Sequence, residues 1–188
     1  MISGSELRKG TKFLYKEQPY VVVDFQHVKP GKGGAFVRTK MRNMLTGLIH
    51  EDTFRVEQKF EQPDLQYRQM QYLYKEDGTY NFMDQESYEQ VYLNADVIGS
   101  AIDYLKEQEV YTIMNFDEKA VAVTPQMFME LEVIETTPGV RGDTAQGGAT
   151  KPATLETGLV LQIPLFVNEG DLIKVDTREG VYVERVKK

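Results

Sequence analysis

The sequence contains few of the side chains that carry out covalent chemistry in proteins. It has no cysteine, which excludes thiolate nucleophiles, disulfides and cysteine metal sites, and it has two histidines, His27 and His50. It contains neither a nucleophile-elbow motif nor an H-E-x-x-H zinc motif, and its many carboxylates are dispersed. We therefore expect no catalytic residues, no metal and no cofactor.

One lysine has a setting that suggests binding. Lys32 stands in "KPGKGGAF", between Pro30-Gly31 and Gly33-Gly34. Pro30-Gly31 suits the central positions of a type II turn, and Gly33-Gly34 suits positive φ or close backbone approach. The segment is a solvated hairpin turn or a slender projection that reaches something anionic. This candidate tip loop comprises Lys29, Pro30, Gly31, Lys32, Gly33 and Gly34.

The strand predicted after this loop carries alternating cations. Arg38, Lys40 and Arg42 alternate with apolar or small residues, so in a strand they share one face at intervals of about 6.6 Å. They form either an ordinary solvated face or, with His27, Lys29 and Lys32 nearby, a patch for phosphates. We call Arg38, Lys40 and Arg42 the basic face.

Charge is unevenly distributed along the 188 residues. The net charge of −7 divides into +4 for residues 1–63, −8 for residues 64–128 and −3 for residues 129–188. A protein whose middle is repelled by phosphate can still be oriented on a nucleic acid by a basic end.

The pattern of short aromatic and β-branched runs predicts a mainly β protein. Hairpin signals stand at Asp77-Gly78, at "DEK" and at "REG". One helix is predicted, in "NADVIGSAIDYLKE", with Asn94 as N-cap and Val97, Ile98, Ala101, Ile102 and Leu105 on one face. Breaks near Pro63 and Pro125 predict three consecutive small β-barrels, at 1–63, 64–128 and 129–188. In the middle segment a helix is predicted after three strands, which is typical of a five-stranded barrel of the oligonucleotide-binding (OB) kind.

Two further candidate sites lie in the last third. The long polar stretch contains Gly142, Asp143 and Thr144, which could contact RNA or simply form a flexible loop. Tyr182 and Arg185 are three residues apart, which places them on opposite faces of a regular strand. An edge aromatic and a surface arginine are the simpler interpretation of that spacing.

The chain resembles the bacterial translation elongation factor P family along its whole length, and two motifs carry the resemblance. One is the tip loop "KPGKGGAF". The other is "KPATLETGLVLQIPLFVNEG", which matches the family signature at Lys151, Ala153, Gly158, Pro164 and Gly170, with Ile163 in place of the usual valine.

The resemblance implies an L-shaped molecule with an SH3-like N-terminal barrel of the KOW type and two OB-type barrels. It implies a factor that binds the 70S ribosome between the peptidyl and exit sites and relieves stalling at consecutive prolines, and we expect a monomer. The absence of cysteine makes a reducing cytoplasm the expected compartment, and the absence of a run of about 18 or more apolar residues predicts no membrane span. Lys32, the position of modification by a lysine-modifying enzyme, would approach the CCA end of peptidyl-tRNA. Gly142, Asp143 and Thr144 would lie near messenger RNA at the exit-site codon, and Tyr182 and Arg185 near the anticodon stem.

Two other classes of function are open to the residues. A general single-stranded RNA-binding protein would need a positive groove with stacking aromatics, which the charge of −8 in the middle disfavours. An enzyme with Lys32 as nucleophile would need a desolvated lysine beside a base, whereas this loop is expected to be exposed.

Overall fold

The computed structural model describes residues 1–139 and 148–186, and they form short antiparallel strands. The N-terminal strands are β1 (Ile2–Ser3), β2 (Lys12–Tyr15), β3 (Gln18–Val28), β4 (Phe36–Asn43), β5 (Ile49–Arg55) and β6 (Lys59–Phe60), with a short 3-10 helix at Gly4–Glu6. The middle segment contains β7 (Leu65–Glu76), β8 (Thr79–Asp84), β9 (Gln90–Leu93), the helix α1 (Ala95–Ile98), a 3-10 helix (Gly99–Tyr104), β10 (Val110–Phe116) and β11 (Lys119–Thr124). The last strands are β12 (Phe128–Thr136), β13 (Thr150–Leu155), β14 (Val160–Pro164), β15 (Leu172–Asp176) and β16 (Val181–Arg185).

The N-terminal barrel has a four-stranded sheet, β2-β3-β4-β5, and a two-stranded pair, β1-β6. Alternate residues point inwards, where Phe13, Phe54 and Phe60 pack edge to face with ring centroids 4.9–6.1 Å apart. These rings and the neighbouring buried Leu7 and Met41 supply the apolar burial that stabilises so small a barrel.

The middle and C-terminal sheets each have five strands, in the orders β11-β10-β7-β8-β9 and β14-β13-β12-β15-β16. Compactness divides the described chain into two units, one of Met1–Tyr67 with Met114–Ala122 and one of Arg68–Ile113 with the residues from Val123 onwards. The mainly β architecture, with sheets curled into barrels, agrees with the sequence expectation. The domain boundaries at residues 63 and 128 remain a prediction.

The three hairpin predictions agree with the structure. Asp77 and Gly78 have φ values of 46° and 78° between β7 and β8, and Asp117 and Glu118 have 46° and 62° between β10 and β11. Gly180, with φ of 67°, closes the hairpin between β15 and β16. Positive φ at both central residues is the turn geometry that matches the twist of a two-stranded ribbon.

The predicted helix is shorter than expected. Asn94 does cap it, because its side chain accepts a hydrogen bond from the Val97 amide at 3.1 Å. Gly99, with φ of 57°, then ends the α-helix after four residues, and the chain continues as 3-10 helix. The period of three buries Ile98, Ala101 and Tyr104, so Tyr104 replaces the predicted Leu105 on the packed face.

Candidate functional site

The tip loop connects β3 to β4. The last ladder pair is Val28 with Phe36, and residues 29–35 form the connection beyond it. All six predicted tip-loop residues, Lys29, Pro30, Gly31, Lys32, Gly33 and Gly34, are exposed. An exposed lysine remains hydrated, which suits a role in contact rather than as a desolvated nucleophile.

The backbone conformation of the tip loop requires glycine at only one position. Gly33 has φ of 111°, in the region that side chains rarely adopt. Gly31 has no positive φ, so the predicted type II turn at Pro30-Gly31 is wrong. A Cβ added at Gly31 or Gly34 would meet no described atom within 4 Å. The fold therefore tolerates side chains at these two positions, and their absence makes the projection slender.

The basic face is exposed as predicted. Along β4, Arg38, Lys40 and Arg42 are exposed while Val37, Thr39, Met41 and Asn43 between and beside them are buried. The alternation arises because Cβ atoms point to opposite sides of a strand in turn.

The neighbouring strands make this face less uniformly basic than the sequence indicated. Lys40 pairs with Asp24 on β3 and with Glu51 on β5, and its Nζ lies 3.7 Å from the Glu51 carboxylate. Arg38 stands between Gln26 and Thr53, so its cross-strand partners are uncharged. Sequence reasoning missed Asp24, although a hairpin symmetric about Lys32 places it opposite Lys40.

A further carboxylate, Asp52, pairs with Thr39 and therefore belongs to the sheet face opposite the basic face. The Tyr15 hydroxyl donates a hydrogen bond to Asp52, which lowers the pKa of that carboxyl and raises the pKa of the tyrosine. Asp52 borders the groove that Arg38 and Lys40 line. The groove therefore carries positive charge from Arg38 and Lys40 and negative charge from the carboxylates that also line it, Asp24, Glu51 and Asp52.

In the C-terminal sheet a β-bulge changes the predicted arrangement of Tyr182 and Arg185. Tyr182 pairs with Val175 and Arg185 with Ile173, and Val183 is the extra residue between them. Because Val175 and Ile173 share a face, the bulge brings Tyr182 and Arg185 to one face, which corrects the prediction of opposite faces. Gly142, Asp143 and Thr144 lie outside the described residues.

Arg185 is held in place by two neighbours. Its guanidinium lies 5.6 Å from the centre of the Phe166 ring and 3.6 Å from the Asp171 carboxylate. Its side chain is nevertheless 43% exposed, and the ring of Phe166 is also exposed. This arrangement presents an oriented cation beside an aromatic surface, two features that bind nucleic acids.

The second motif is part of the fold itself. Lys151 is only 4% exposed, and its Nζ donates to the Thr137 carbonyl at 2.7 Å. Gly158 and Gly170 have φ values of 89° and 81°. The Gly158 amide closes a turn on the Leu155 carbonyl, and the Gly170 amide donates to the carbonyl of Val133 on β12.

Chemistry-bearing clusters are sparse in the described ranges. Within residues 1–139 and 148–186, no three His, Cys, Asp or Glu side chains come together as metal ligands would. In the same ranges no helix has the length and apolar character needed to span a bilayer.

Comparisons with known proteins cover the chain from end to end. Residues 3–60 match the Elongation factor P (EF-P) KOW-like domain, residues 65–123 the Elongation factor P (EF-P) OB domain, and residues 129–185 the domain described as Elongation factor P, C-terminal.

Full-length relatives agree with these matches. Elongation factor P of Thermoanaerobacter sp. (strain X514) is 53% identical over 99% of this chain and 100% of its own length. The factors of the same name from Clostridioides difficile (strain 630) and Bdellovibrio bacteriovorus are 52% and 50% identical, also over 99% of this chain and over 100% and 98% of their own lengths.

A solved structure shares the fold. Eukaryotic translation initiation factor 5A from Methanococcus jannaschii superposes with a TM-score of 0.53 at 21% identity, covering 66% of this chain and 93% of its own. Three domain matches in order and full-length identity near one half show that the chain belongs to the elongation factor P family and is a translation elongation factor that acts with the ribosome.

Proposed function

We propose that the protein binds the ribosome between the peptidyl and exit sites and stimulates peptide-bond formation at consecutive prolines by positioning the CCA end of peptidyl-tRNA. The observation that carries this proposal is the exposed Lys32 in a loop that is slimmer than its own backbone geometry requires. A slender cationic projection suits a narrow, RNA-lined space.

A physical reason links this geometry to proline. The proline ring fixes φ and restricts the preceding residue, so a peptidyl end of consecutive prolines is poorly arranged for attack. Holding two reactants in attack geometry lowers a barrier by several kcal/mol without any covalent step. The factor would therefore act without turnover chemistry of its own. We also propose that it acts as a monomer in the cytoplasm.

The loop residues Lys29, Pro30, Gly31, Lys32, Gly33 and Gly34 are proposed to lie along the acceptor end of the tRNA. Lys32 is proposed to carry an extension on Nζ, added by a lysine-modifying enzyme, that keeps a positive charge or adds hydrogen-bonding groups. The exposure of Lys32 leaves it accessible to such an enzyme. Peptide mass spectrometry of protein from its native host tests this, and an unmodified Lys32 with full rescue activity would contradict it.

The remaining sites are proposed to orient the factor. Arg38, Lys40 and Arg42 would contact RNA phosphates near the tip. Tyr182 and Arg185 would face the anticodon stem, and Gly142, Asp143 and Thr144 would approach the messenger at the exit-site codon. The shared face of Tyr182 and Arg185 supports a joint contact.

A reconstituted translation assay on a template with three consecutive proline codons tests the function. We expect ribosomes to stall at these codons without the protein and to pass them with it, and a template lacking consecutive prolines serves as control. Equal stalling with and without the protein, in both its host-modified and its unmodified form, would refute the proposal.

A further inference from the structure

A histidine at the base of the tip loop has an unusual partner. His27 lies near the end of β3, two residues before Lys29, and pairs with Val37. It therefore lies on the sheet face of Val37 and Thr39, opposite the basic face. Its Nε2 is 2.6 Å from Nη1 of Arg8, nineteen residues earlier in the chain.

Arg8 is itself fixed in place. The same Nη1 lies 2.9 and 2.8 Å from the carbonyl oxygens of Ser5 and Leu7, so its two hydrogens are shared among three acceptors, and the guanidinium lies 5.3 Å from the centre of the Phe25 ring. Phe25 in turn packs edge to face on His27, with ring centroids 5.4 Å apart. Three contacts thus hold the arginine, and the contact between Phe25 and His27 places the histidine beside it.

This contact determines where the imidazole proton resides. A guanidinium has only donors, so the nitrogen facing it must accept and cannot carry a proton. In a neutral imidazole the proton is then on the other nitrogen, Nδ1. Among the described residues no acceptor is assigned to that Nδ1–H, and His27 is exposed.

We infer that Arg8 locks His27 in the Nδ1–H tautomer, and that this N–H donates a hydrogen bond to an RNA backbone oxygen on the face of the β3-β4 hairpin opposite the basic face. The RNA contact rests on the proposed function, whereas the tautomer follows from Arg8 alone. The hairpin would then bind RNA from both faces, with cations on one and a neutral, directional donor on the other.

Nitrogen-15 NMR of the full-length protein tests the tautomer. The chain has two histidines, so His50, whose ring contacts Tyr20 edge to face, is an internal control. We expect Nε2 of His27 to resonate as an unprotonated nitrogen and Nδ1 as a protonated one. Arg8→Met keeps the aliphatic stem and removes the donors, so it should return His27 to a tautomer mixture and leave His50 unchanged. An Nε2–H or doubly protonated His27 in the wild type, or no response to Arg8→Met, would overturn the lock.

Ribosome affinity tests the donor. His27→Phe keeps a ring against Phe25 and loses both nitrogens, so it should weaken binding by about tenfold, the size of one hydrogen bond to a charged group. His27→Gln retains an acceptor for Arg8 and an outward donor. Its affinity for the ribosome should be within about twofold of wild type, well below the roughly tenfold change expected for the loss of one such hydrogen bond. His50→Phe is the matched control and should leave affinity unchanged.

The outcomes separate this inference from the proposed function. If the wild type relieves proline stalling but His27→Phe and His27→Gln both bind as the wild type does, the donor role is refuted and the proposed function stands. If the wild type fails to relieve stalling, the proposed function is refuted, and the NMR result still decides the tautomer. If His27→Phe does not fold, His27→Gln decides: tenfold weaker binding by a folded His27→Gln would contradict the donor role.

Discussion

Two lysine- and glycine-containing motifs identify this family, and the structure uses them in opposite ways. Lys32 is exposed in a loop where the fold would accept side chains at Gly31 and Gly34. Lys151 is buried, and the glycines that follow it at 158 and 170 have positive φ. A motif that the fold does not require indicates contact with something outside the molecule, whereas a motif that the fold does require indicates stability.

The largest expected effect is on the exposed lysine. Lys32→Ala should abolish relief of proline stalling while changing the free energy of unfolding by less than about 0.5 kcal/mol, because an exposed loop side chain supports no core. Lys32→Arg should keep the charge but fail as a substrate for a lysine-modifying enzyme. Stalling assays, mass spectrometry and calorimetry check these outcomes. If Lys32→Ala were as active as the wild type, the loop would be only a hairpin turn with no role in the rescue of stalled ribosomes.

The buried lysine should show the reverse behaviour. Lys151→Ala removes a packed side chain and leaves the Thr137 carbonyl without this donor, so we expect a loss of about 3 kcal/mol in stability. Lys174 is the control: its bridge to Glu184 at 3.2 Å is exposed, and Lys174→Ala should cost less than about 1 kcal/mol. Scanning calorimetry measures both. Equal melting temperatures for the two variants would contradict the contrast.

The glycines sharpen the comparison. Gly34→Ala should leave stability unchanged, yet thicken the tip and reduce the rate of rescue by roughly tenfold through misplacement of the loop. Gly170→Ala places a Cβ at φ of 81°, which should cost about 1–2 kcal/mol, with rescue retained at temperatures where the variant is folded. A stable, fully active Gly34→Ala would show that slenderness at that position is unimportant.

The smallest expected effects are those of single cations on the basic face. Arg38→Gln and Arg42→Gln should each lower the salt dependence of ribosome binding by about one counterion. Lys40→Gln should change it less, because Glu51 already lies 3.7 Å from the amine. Affinity titrations across salt concentrations measure this. If the variant with all three substitutions bound the ribosome with unchanged affinity and salt slope, the basic face would be ordinary solvated surface.

Features with a local cause were predictable from the sequence. Residue alternation predicted the exposed cations of β4, turn residues predicted the hairpin at Asp77-Gly78, and Asn94 was identified as a cap. The errors arose where one residue alters the register or period. Val183 forms a bulge that rotates Tyr182 relative to Arg185, and Gly99 ends the α-helix early. The contact between Arg8 and His27 joins residues far apart in sequence, and no local pattern signals it.

The rate of a single peptide bond tests the central claim most directly. Rapid-quench measurement of proline-to-proline transfer on purified ribosomes should be accelerated at least tenfold by the protein, equivalent to about 1.4 kcal/mol of barrier, while transfer between non-proline residues stays unchanged. Lys32→Ala at saturating concentration should give the unaccelerated rate. The same proline transfer rate with wild type, with Lys32→Ala and without factor would contradict the account.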